Sequence, residues 1–217
     1  MPLIQKQRVA DNTLLGIWHI DEPLDWFSSQ LLLNQSENLM LDSIRNPGRK
    51  LQWLSSRVLI RTMLETDQFI HLENDLNGKP AIVNSPFNIS ISHSRNLSAL
   101  IVSKDQEVGI DIEIITPKIE RVANKFLNEE EKLCIDKRRT AEHLYTIWSA
   151  KEAMYKLYGK RQLDFSKHLS VVPFFYQESG VISGKIEKDG YIKEVKISYQ
   201  KINNYMLAYV CHKSINT

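Results

Sequence analysis

Two carboxylates alternate with isoleucines in segment 109–114, whose sequence is Gly-Ile-Asp-Ile-Glu-Ile. Because side chains alternate along a β-strand, Asp111 and Glu113 are predicted to lie on one face and the isoleucines on the other. Carboxylates held that close repel each other unless a cation or a proton intervenes, and hard oxygen ligands suit Mg²⁺. The same alternation also fits the solvated face of an edge strand, so this motif alone leaves both interpretations open.

A third acid lies in segment 141–158, where the spacing of apolar residues predicts an amphipathic helix. Its polar stripe includes Ser149, Glu152 and Lys156, which are available to a functional site. Glu152 and Lys156 are four residues apart with the acid first, which is equally the favoured order for a surface salt bridge. Lys151 falls in the apolar arc instead, where a charge is costly unless it snorkels to solvent or finds a partner.

Two predicted turns earlier in the chain also present polar side chains. Asn77-Gly78-Lys79-Pro80 predicts a constrained turn from which Lys79 projects. Segment 88–94 ends a predicted strand at Ser92 and His93, which supply a hydroxyl and an imidazole. Lys79 also fits an ordinary exposed lysine, and His93 also fits a histidine with a purely structural role.

Several cations lie on one predicted helix after the break at Pro47-Gly48. They form either a phosphate cradle or a solvated face, and they are Arg49, Lys50, Arg57 and Arg61. The chain contains no glycine-rich Walker or dinucleotide motif, so a conventional ATP or NAD fold is not indicated. No nucleophile-elbow motif supports serine-hydrolase chemistry.

Composition limits the classes of partner. The 217 residues are 42% hydrophobic and 25% charged, with a net charge of +2, so we expect no bulk attraction to nucleic acid or membrane. No stretch approaches the roughly 20 apolar residues of a membrane span, and the first residues lack a secretory signal, so we expect a cytoplasmic protein. Cys134 and Cys211 lie far apart without metal-ligand spacing, which argues against a disulfide or zinc framework.

The order of predicted elements suggests an α+β fold with two similar halves. Segment 22–65 is predicted helical, and segment 69–114 is predicted to be an antiparallel meander of short strands. Helices follow at 119–127, 129–137 and 141–158, and strands near 169–175, 181–187, 191–199 and 205–211. We expect an N-terminal lobe at 1–107 and a C-terminal lobe at 108–217.

Taken together, these motifs resemble those of the two-lobed 4'-phosphopantetheinyl transferases that activate surfactin and enterobactin synthetases. The resemblance spans about residues 77 to 159, with a looser match at 49–61. It rests on Asn77-Gly78-Lys79-Pro80, on segment 88–94, on Val108-Gly109-Ile110-Asp111-Ile112-Glu113, and on Trp148-Ser149-Ala150-Lys151-Glu152 with Lys156 and Gly159.

The resemblance implies a pseudo-dimer of two α+β lobes, each with helices on an antiparallel sheet, and an active site in the cleft between them. Asp111, Glu113 and Glu152 would ligate Mg²⁺ together with the pyrophosphate of coenzyme A. The remaining implied contacts are Lys79, Ser92 and His93 with phosphates, and Arg49, Lys50 and Arg57 with the nucleotide phosphates.

By the same resemblance, the chain would be a holo-[acyl-carrier-protein] synthase type enzyme acting as a monomer. It would transfer phosphopantetheine from coenzyme A to a serine of an apo acyl or peptidyl carrier protein, releasing 3',5'-ADP. Glu152 would accept the serine proton and Lys156 would stabilise the departing phosphate. Glu131 resembles a further family acid, whereas Arg161 departs from the family by replacing a glycine.

Two other classes of function remain open from the residues. A Mg²⁺-dependent phosphohydrolase would also use three acids and a lysine, and would need no carrier. A non-catalytic module that binds coenzyme A or a carrier would keep the basic contacts and tolerate loss of the acids.

Overall fold

The computed structural model describes residues 3–213, which form two large antiparallel sheets, one small two-stranded antiparallel sheet and five α-helices. The first part of the chain contains β1 (Leu3–Ala10), β2 (Thr13–His19), α1 (Leu24–Ser29), α2 (Gln35–Ser43), α3 (Pro47–Leu64), β3 (Leu72–Asn74), β4 (Pro80–Ile82), β5 (Asn88–Ser94) and β6 (Leu97–Ser103). The second contains β7 (Gln106–Ile114), α4 (Glu129–Leu133), α5 (Thr140–Tyr158), β8 (Leu169–Val171), β9 (Ser179–Lys188), β10 (Tyr191–Ile202) and β11 (Tyr205–Lys213).

The first sheet has the strand order β1-β2-β6-β5, and every neighbouring pair is antiparallel. Helix α3 packs on this sheet through Leu54, Leu59 and Met63, all nearly inaccessible to solvent. The β1–β2 hairpin was not predicted from the sequence, and its tight turn contains Asn12 at a φ of 52°. Asparagine tolerates this left-handed conformation better than most residues, so the turn residue was an available signal.

The second sheet has the order β7-β11-β10-β9-β8 and is also antiparallel throughout. Helix α5 packs across it, burying Ile147, Ala150 and Met154 among the strands. The predicted α+β class with helices on antiparallel sheets is therefore confirmed. The lobe boundary expected between residues 107 and 108 falls inside β7, and the division into two lobes stays a prediction.

The prediction that 69–114 forms one meander was wrong, because β7 belongs to the second sheet and pairs with β11. Between the two sheets lies a third apolar cluster, in which Ile110 and Ile112 of β7 pack with Leu97, Ala99 and Ile101. The apolar face of β7 packs on the first sheet, whereas its backbone forms hydrogen bonds with β11 in the second sheet. This combination explains why the meander prediction failed. The alternation of β7 then directs its acids away from that cluster.

Gly109 brings β7 against helix α5. A Cβ atom at this position would lie 2.0 Å from the carbonyl oxygen of Ala153, so only glycine permits the contact. The close approach allows side chains of α5 to reach the backbone of β7.

Two helical predictions also needed correction. Segment 119–127 forms a 3₁₀ helix at Pro117–Lys125, and α4 ends at Leu133 rather than at residue 137. Asn128 begins α4 with a capping box completed by Glu131, which explains where that helix starts. No helix in residues 3–213 is long and apolar enough to cross a membrane.

Candidate active site

Asp111 is the most buried of the three predicted metal ligands, with 3% of its surface exposed. Its Oδ1 atom accepts hydrogen bonds from Ser92 Oγ at 2.8 Å and from Lys156 Nζ at 2.9 Å. Its Oδ2 atom is buried and has no hydrogen-bond partner among the described residues. Because a buried carboxylate oxygen is costly to leave unsatisfied, this environment contradicts the solvated-face interpretation of the strand.

Glu113 lies two residues along the same face and is partly buried. Its Oε2 atom accepts a hydrogen bond of 2.8 Å from Ser94 Oγ. Burial raises the pKa of Glu113 above its ordinary value, and the negative charge of Asp111 raises it further. Proximity of the two acids, predicted from strand alternation, is therefore reflected in the pKa of Glu113.

Glu152 approaches these acids from helix α5. Burial raises its pKa to about 7, and the nearby charges of Asp111 and Glu113 act in the same direction. Lys156 lowers the pKa of Glu152 only in part. Lys156 forms its ion pair with Asp111 instead of a surface salt bridge with Glu152, so the intrahelical alternative is not what the structure shows.

The three acids have a donor set that suits a hard divalent cation. As the side chains are placed, however, no group of three or more His, Cys, Asp or Glu residues within 3–213 lies close enough together to hold a metal ion. The unpartnered Oδ2 of Asp111 and the raised pKa values of Glu113 and Glu152 both favour added positive charge at this position. The residues present therefore fit a cation chemically, with side-chain rearrangement needed to bring the acids onto it.

A cavity of about 1060 Å³ opens beside the acids, between helices α2 and α3 and the strands β3 to β5. Arg49, Arg57 and His93 line it, whereas Lys50 is not among its lining residues. Arg57 stacks on the Trp53 ring at 3.3 Å and donates to Glu37 at 3.2 Å, so its charge is already partly engaged. Burial lowers the pKa of Arg57 to about 10, against the effect of Glu37.

His93 lies at the wall of this cavity near the acids. Its pKa is lowered below the ordinary value, chiefly because the surrounding protein displaces water, and also because Lys156 and Arg49 are positively charged. Ser92, the residue before it, is buried and donates its only hydroxyl proton to Asp111. As placed, Ser92 therefore serves the acid rather than the cavity.

A smaller cavity of about 190 Å³ adjoins the first, since Pro80 and Ile91 line both. Lys79, Lys156 and Lys160 contribute to its wall. Lys79 does not project freely, as expected from the sequence, but is partly buried and packs against Gly159 at the end of α5. Burial lowers the pKa of Lys79, while Glu107 and Asp75 oppose that shift.

Comparisons with known proteins identify the family of this chain. Residues 107–210 match the family model of the 4'-phosphopantetheinyl transferase superfamily. The 4'-phosphopantetheinyl transferase AcpT of Salmonella typhimurium is 33% identical over 138 residues, covering 60% of this chain and 70% of the relative. The chain belongs to this superfamily. The transferase psf-1 of Bacillus pumilus is 36% identical over 117 residues, covering 49% of each protein, and supports the surfactin-type resemblance.

The segment that matches the superfamily model begins in β7 and ends in β11. It includes Asp111, Glu113, Glu152 and Lys156, which the structure brings together around Asp111. The predicted coenzyme A contacts all precede this segment, and they are Arg49, Lys50, Arg57, Lys79, Ser92 and His93. Their roles consequently depend on the cavities rather than on the family model.

Glu131 takes part in a buried ion pair instead of joining the other acids of this superfamily member. Its Oε2 atom lies 2.7 Å from Lys151 Nζ, and both side chains are almost fully buried. Lys151 also donates to the carbonyl oxygens of Phe126 and Phe165, while Glu131 Oε1 accepts from Val171 N–H. Glu131 thus neutralises the charge that Lys151 carries in the apolar arc of α5, where an unpaired charge would be costly.

Arg161, at the position where the family resemblance implies glycine, bridges the two turns beside the smaller cavity. Its Nε atom donates to the carbonyl oxygen of Asn77 at 2.9 Å. Gly78, with a φ of 89°, and Gly159, with a φ of 66°, give the two turns the left-handed conformations that favour glycine. Arg161 therefore ties the loop after α5 to the turn that carries Lys79.

Sequence reasoning missed the structural role of Ser90 and Ser94 and the constraint at Gly109. The serines of β5 recur at every second position, so they were available as a signal of one polar strand face. Gly109 was part of the quoted motif, but its contact with α5 involves residues far along the chain. Trp53 beneath Arg57 was also not foreseen.

Proposed function

We propose that this chain transfers the 4'-phosphopantetheine group of coenzyme A to a serine of an apo acyl or peptidyl carrier protein, releasing 3',5'-ADP. The proposal assigns it to the holo-[acyl-carrier-protein] synthase type. Membership of the superfamily supports the class of reaction. The observation that carries the proposal for this chain is the buried, unpartnered Oδ2 atom of Asp111 beside Lys156, with Glu113 and Glu152 close by.

We assign Asp111, Glu113 and Glu152 to a Mg²⁺ ion, which when bound would offset negative charge on the pyrophosphate and the leaving phosphate. Asp111 offers an oxygen with no competing hydrogen bond. Ser92 donates to the Oδ1 atom of Asp111 and Ser94 to the Oε2 atom of Glu113, so each of these two acids keeps a second oxygen for a cation. These assignments follow from the chemistry of the donor atoms.

In the proposed reaction, the carrier serine oxygen forms a bond to the β-phosphorus of coenzyme A, and the bond from that phosphorus to the bridging oxygen breaks. Glu152, or a water that it orients, accepts the serine proton. Lys156 supplies a positive charge beside Asp111 that stabilises the departing 3',5'-ADP oxygen.

For coenzyme A itself, we propose that the larger cavity receives the nucleotide part. Arg49 and His93 line that cavity and offer donors to phosphate, whereas Arg57 acts together with Trp53 and Glu37. Lys79 faces the adjoining cavity and carries charge toward the pyrophosphate. Lys50 and Ser92 retain their proposed phosphate contacts, although a contact by Ser92 requires its hydroxyl to turn from Asp111.

The proposed partners are coenzyme A and a carrier protein, and we expect a monomer because the two predicted lobes would complete the site within one chain. The cytoplasmic location stays a prediction. Neither alternative function gains support from the relatives, which are named as phosphopantetheinyl transferases. A phosphohydrolase would cleave phosphodiesters without a carrier, and a binding module would lose nothing when Asp111 is replaced.

The deciding experiment is intact mass spectrometry of an apo acyl carrier protein incubated with the purified chain, coenzyme A and Mg²⁺. We expect the carrier to gain one phosphopantetheine and the gain to disappear with EDTA. Asp111→Ala and Glu152→Ala should abolish transfer while circular dichroism shows a retained fold. No gain across fatty-acid and peptide-synthetase carriers, or near-normal turnover by either variant, would refute the proposal.

A further inference from the structure

Three serines recur at every second position along β5, at residues 90, 92 and 94. All three are buried, and their side chains face β7 rather than the core of the first sheet. Ser90 bonds to Ile110 and Ser94 to Ile114, so the two strands run in the same direction. These strands belong to different sheets, and the serines join them where no backbone ladder does.

The three serines make different hydrogen bonds at this junction. Ser90 Oγ accepts a hydrogen bond of 3.1 Å from the Ile110 N–H, and Ser92 Oγ donates to Asp111. Ser94 combines both functions, because its Oγ accepts from the Ile114 N–H at 3.1 Å and donates to Glu113 Oε2 at 2.8 Å. Only at Ser94 does one hydroxyl link the backbone of β7 to an acid on the same strand.

Two bonds on one hydroxyl fix the direction of its proton. With the Ile114 N–H bound to the oxygen, the O–H of Ser94 is directed at Glu113, the acidic side chain it contacts. Glu113 is more exposed than Asp111 and has no ion pair with N–O distance under 4.0 Å among the described residues. Ser94 donates the shortest hydrogen bond to the Glu113 carboxylate, and Trp148 contributes a weaker one that also lowers the pKa of Glu113.

We propose that Ser94 is a positioning residue that keeps the Glu113 carboxylate near Asp111, so that the two acids can ligate a divalent cation together once the surrounding side chains rearrange. The inference rests on the proposed function for the choice of Glu113 as a ligand. Partners that hydrogen-bond a ligating carboxylate typically change metal affinity by about tenfold or more when removed. Ser90 is the matched comparison, since it makes the same backbone contact without contacting an acid.

The test measures Mn²⁺ binding by electron paramagnetic resonance, with and without coenzyme A, for the full chain and for Ser94→Ala and Ser90→Ala. We expect Ser94→Ala to weaken Mn²⁺ binding about tenfold, and Ser90→Ala to leave it within about twofold of the unmodified chain. Both variants lose a backbone partner, so their unfolding midpoints in urea should fall by similar amounts. In a Glu113→Gln background, Ser94→Ala should weaken Mn²⁺ binding no further.

Equal effects of the two serine substitutions on Mn²⁺ affinity would overturn the inference, as would absence of Mn²⁺ binding by the unmodified chain. A further loss in the Glu113→Gln background would also overturn it, because Ser94 would then act through another group. Failure of the proposed function would give a different result from failure of this inference. A chain that binds Mn²⁺ through Ser94 but modifies no carrier refutes the transfer, whereas a chain that modifies carriers with unchanged Mn²⁺ affinity in Ser94→Ala refutes only the positioning role.

Discussion

The ammonium nitrogen of Lys156 lies 2.9 Å from Asp111 Oδ1 and 2.8 Å from the carbonyl oxygen of Ile110. Both contacts cross from helix α5 to strand β7, so one side chain joins the two elements that carry the acids. The approach is close because Gly109 has no side chain to separate β7 from α5. Packing thus holds Lys156 against Asp111 and fixes the position of its positive charge.

Replacement of Lys156 by alanine should lower turnover more than it weakens coenzyme A binding. Loss of a charge-assisted contact made mainly to the departing phosphate is expected to lower kcat by about 100-fold. The dissociation constant for coenzyme A, measured by calorimetry, should change by no more than about threefold. Lys104→Ala, at an exposed turn, serves as the control and should change neither. An effect confined to binding would count against the proposed role of Lys156.

Stability in metal-free buffer should fall as pH rises through neutrality because of Glu152. Its pKa is raised from 4.5 to about 7, so its favourable contribution is complete below about pH 4.5 and is lost as pH rises through about 7. Glu152→Gln should remove this loss, making the variant more stable than the unmodified chain at pH 8 by about 2 kcal/mol.

Urea unfolding at pH 5 and pH 8 with EDTA measures this difference. Addition of Mg²⁺ at pH 8 should stabilise the unmodified chain more than Glu152→Gln, since a cation favours the ionised acid. If the pH dependence is the same in both proteins, the raised pKa does not belong to Glu152.

The buried pair of Lys151 and Glu131 should govern stability rather than chemistry. Lys151→Met leaves the Glu131 carboxylate buried without its counter-ion, which is expected to cost about 3–5 kcal/mol. Lys132→Met breaks the exposed ion pair with Glu129 on the same helix and should cost at most about 1 kcal/mol. Guanidinium unfolding compares the two, and equal losses would show that the buried pair contributes no more than the exposed one.

Arg161→Gly introduces the glycine that the family resemblance implies and should loosen the turn that carries Lys79. Loss of the hydrogen bond to the Asn77 carbonyl is expected to raise KM for coenzyme A by about fivefold while kcat changes little. Arg161→Lys keeps the charge but not the Nε donor, so it should behave like the glycine variant. A drop in kcat with unchanged KM would mean that the contact does not serve coenzyme A.

Local patterns in the sequence predicted much of this protein. Period-two alternation correctly separated Asp111 and Glu113 from the neighbouring isoleucines, and helical periodicity predicted α5 to within one residue at its start. The apolar position of Lys151 left snorkelling and a partner as alternatives, and the structure shows a buried partner, Glu131. These features depend on residues that are close in sequence, where backbone geometry fixes the direction of each side chain.

The tertiary structure alone decided which distant residues meet. The pairing of β7 with β11, the contact of Gly109 with Ala153, and the choice of Asp111 over Glu152 as the partner of Lys156 all join separate segments. Burial then decided the electrostatics, because the raised pKa of Glu152 depends on its burial and on two charges from β7. The sequence by itself determined the types and local directions of the reactive side chains, whereas long-range packing determined their distances and their charge.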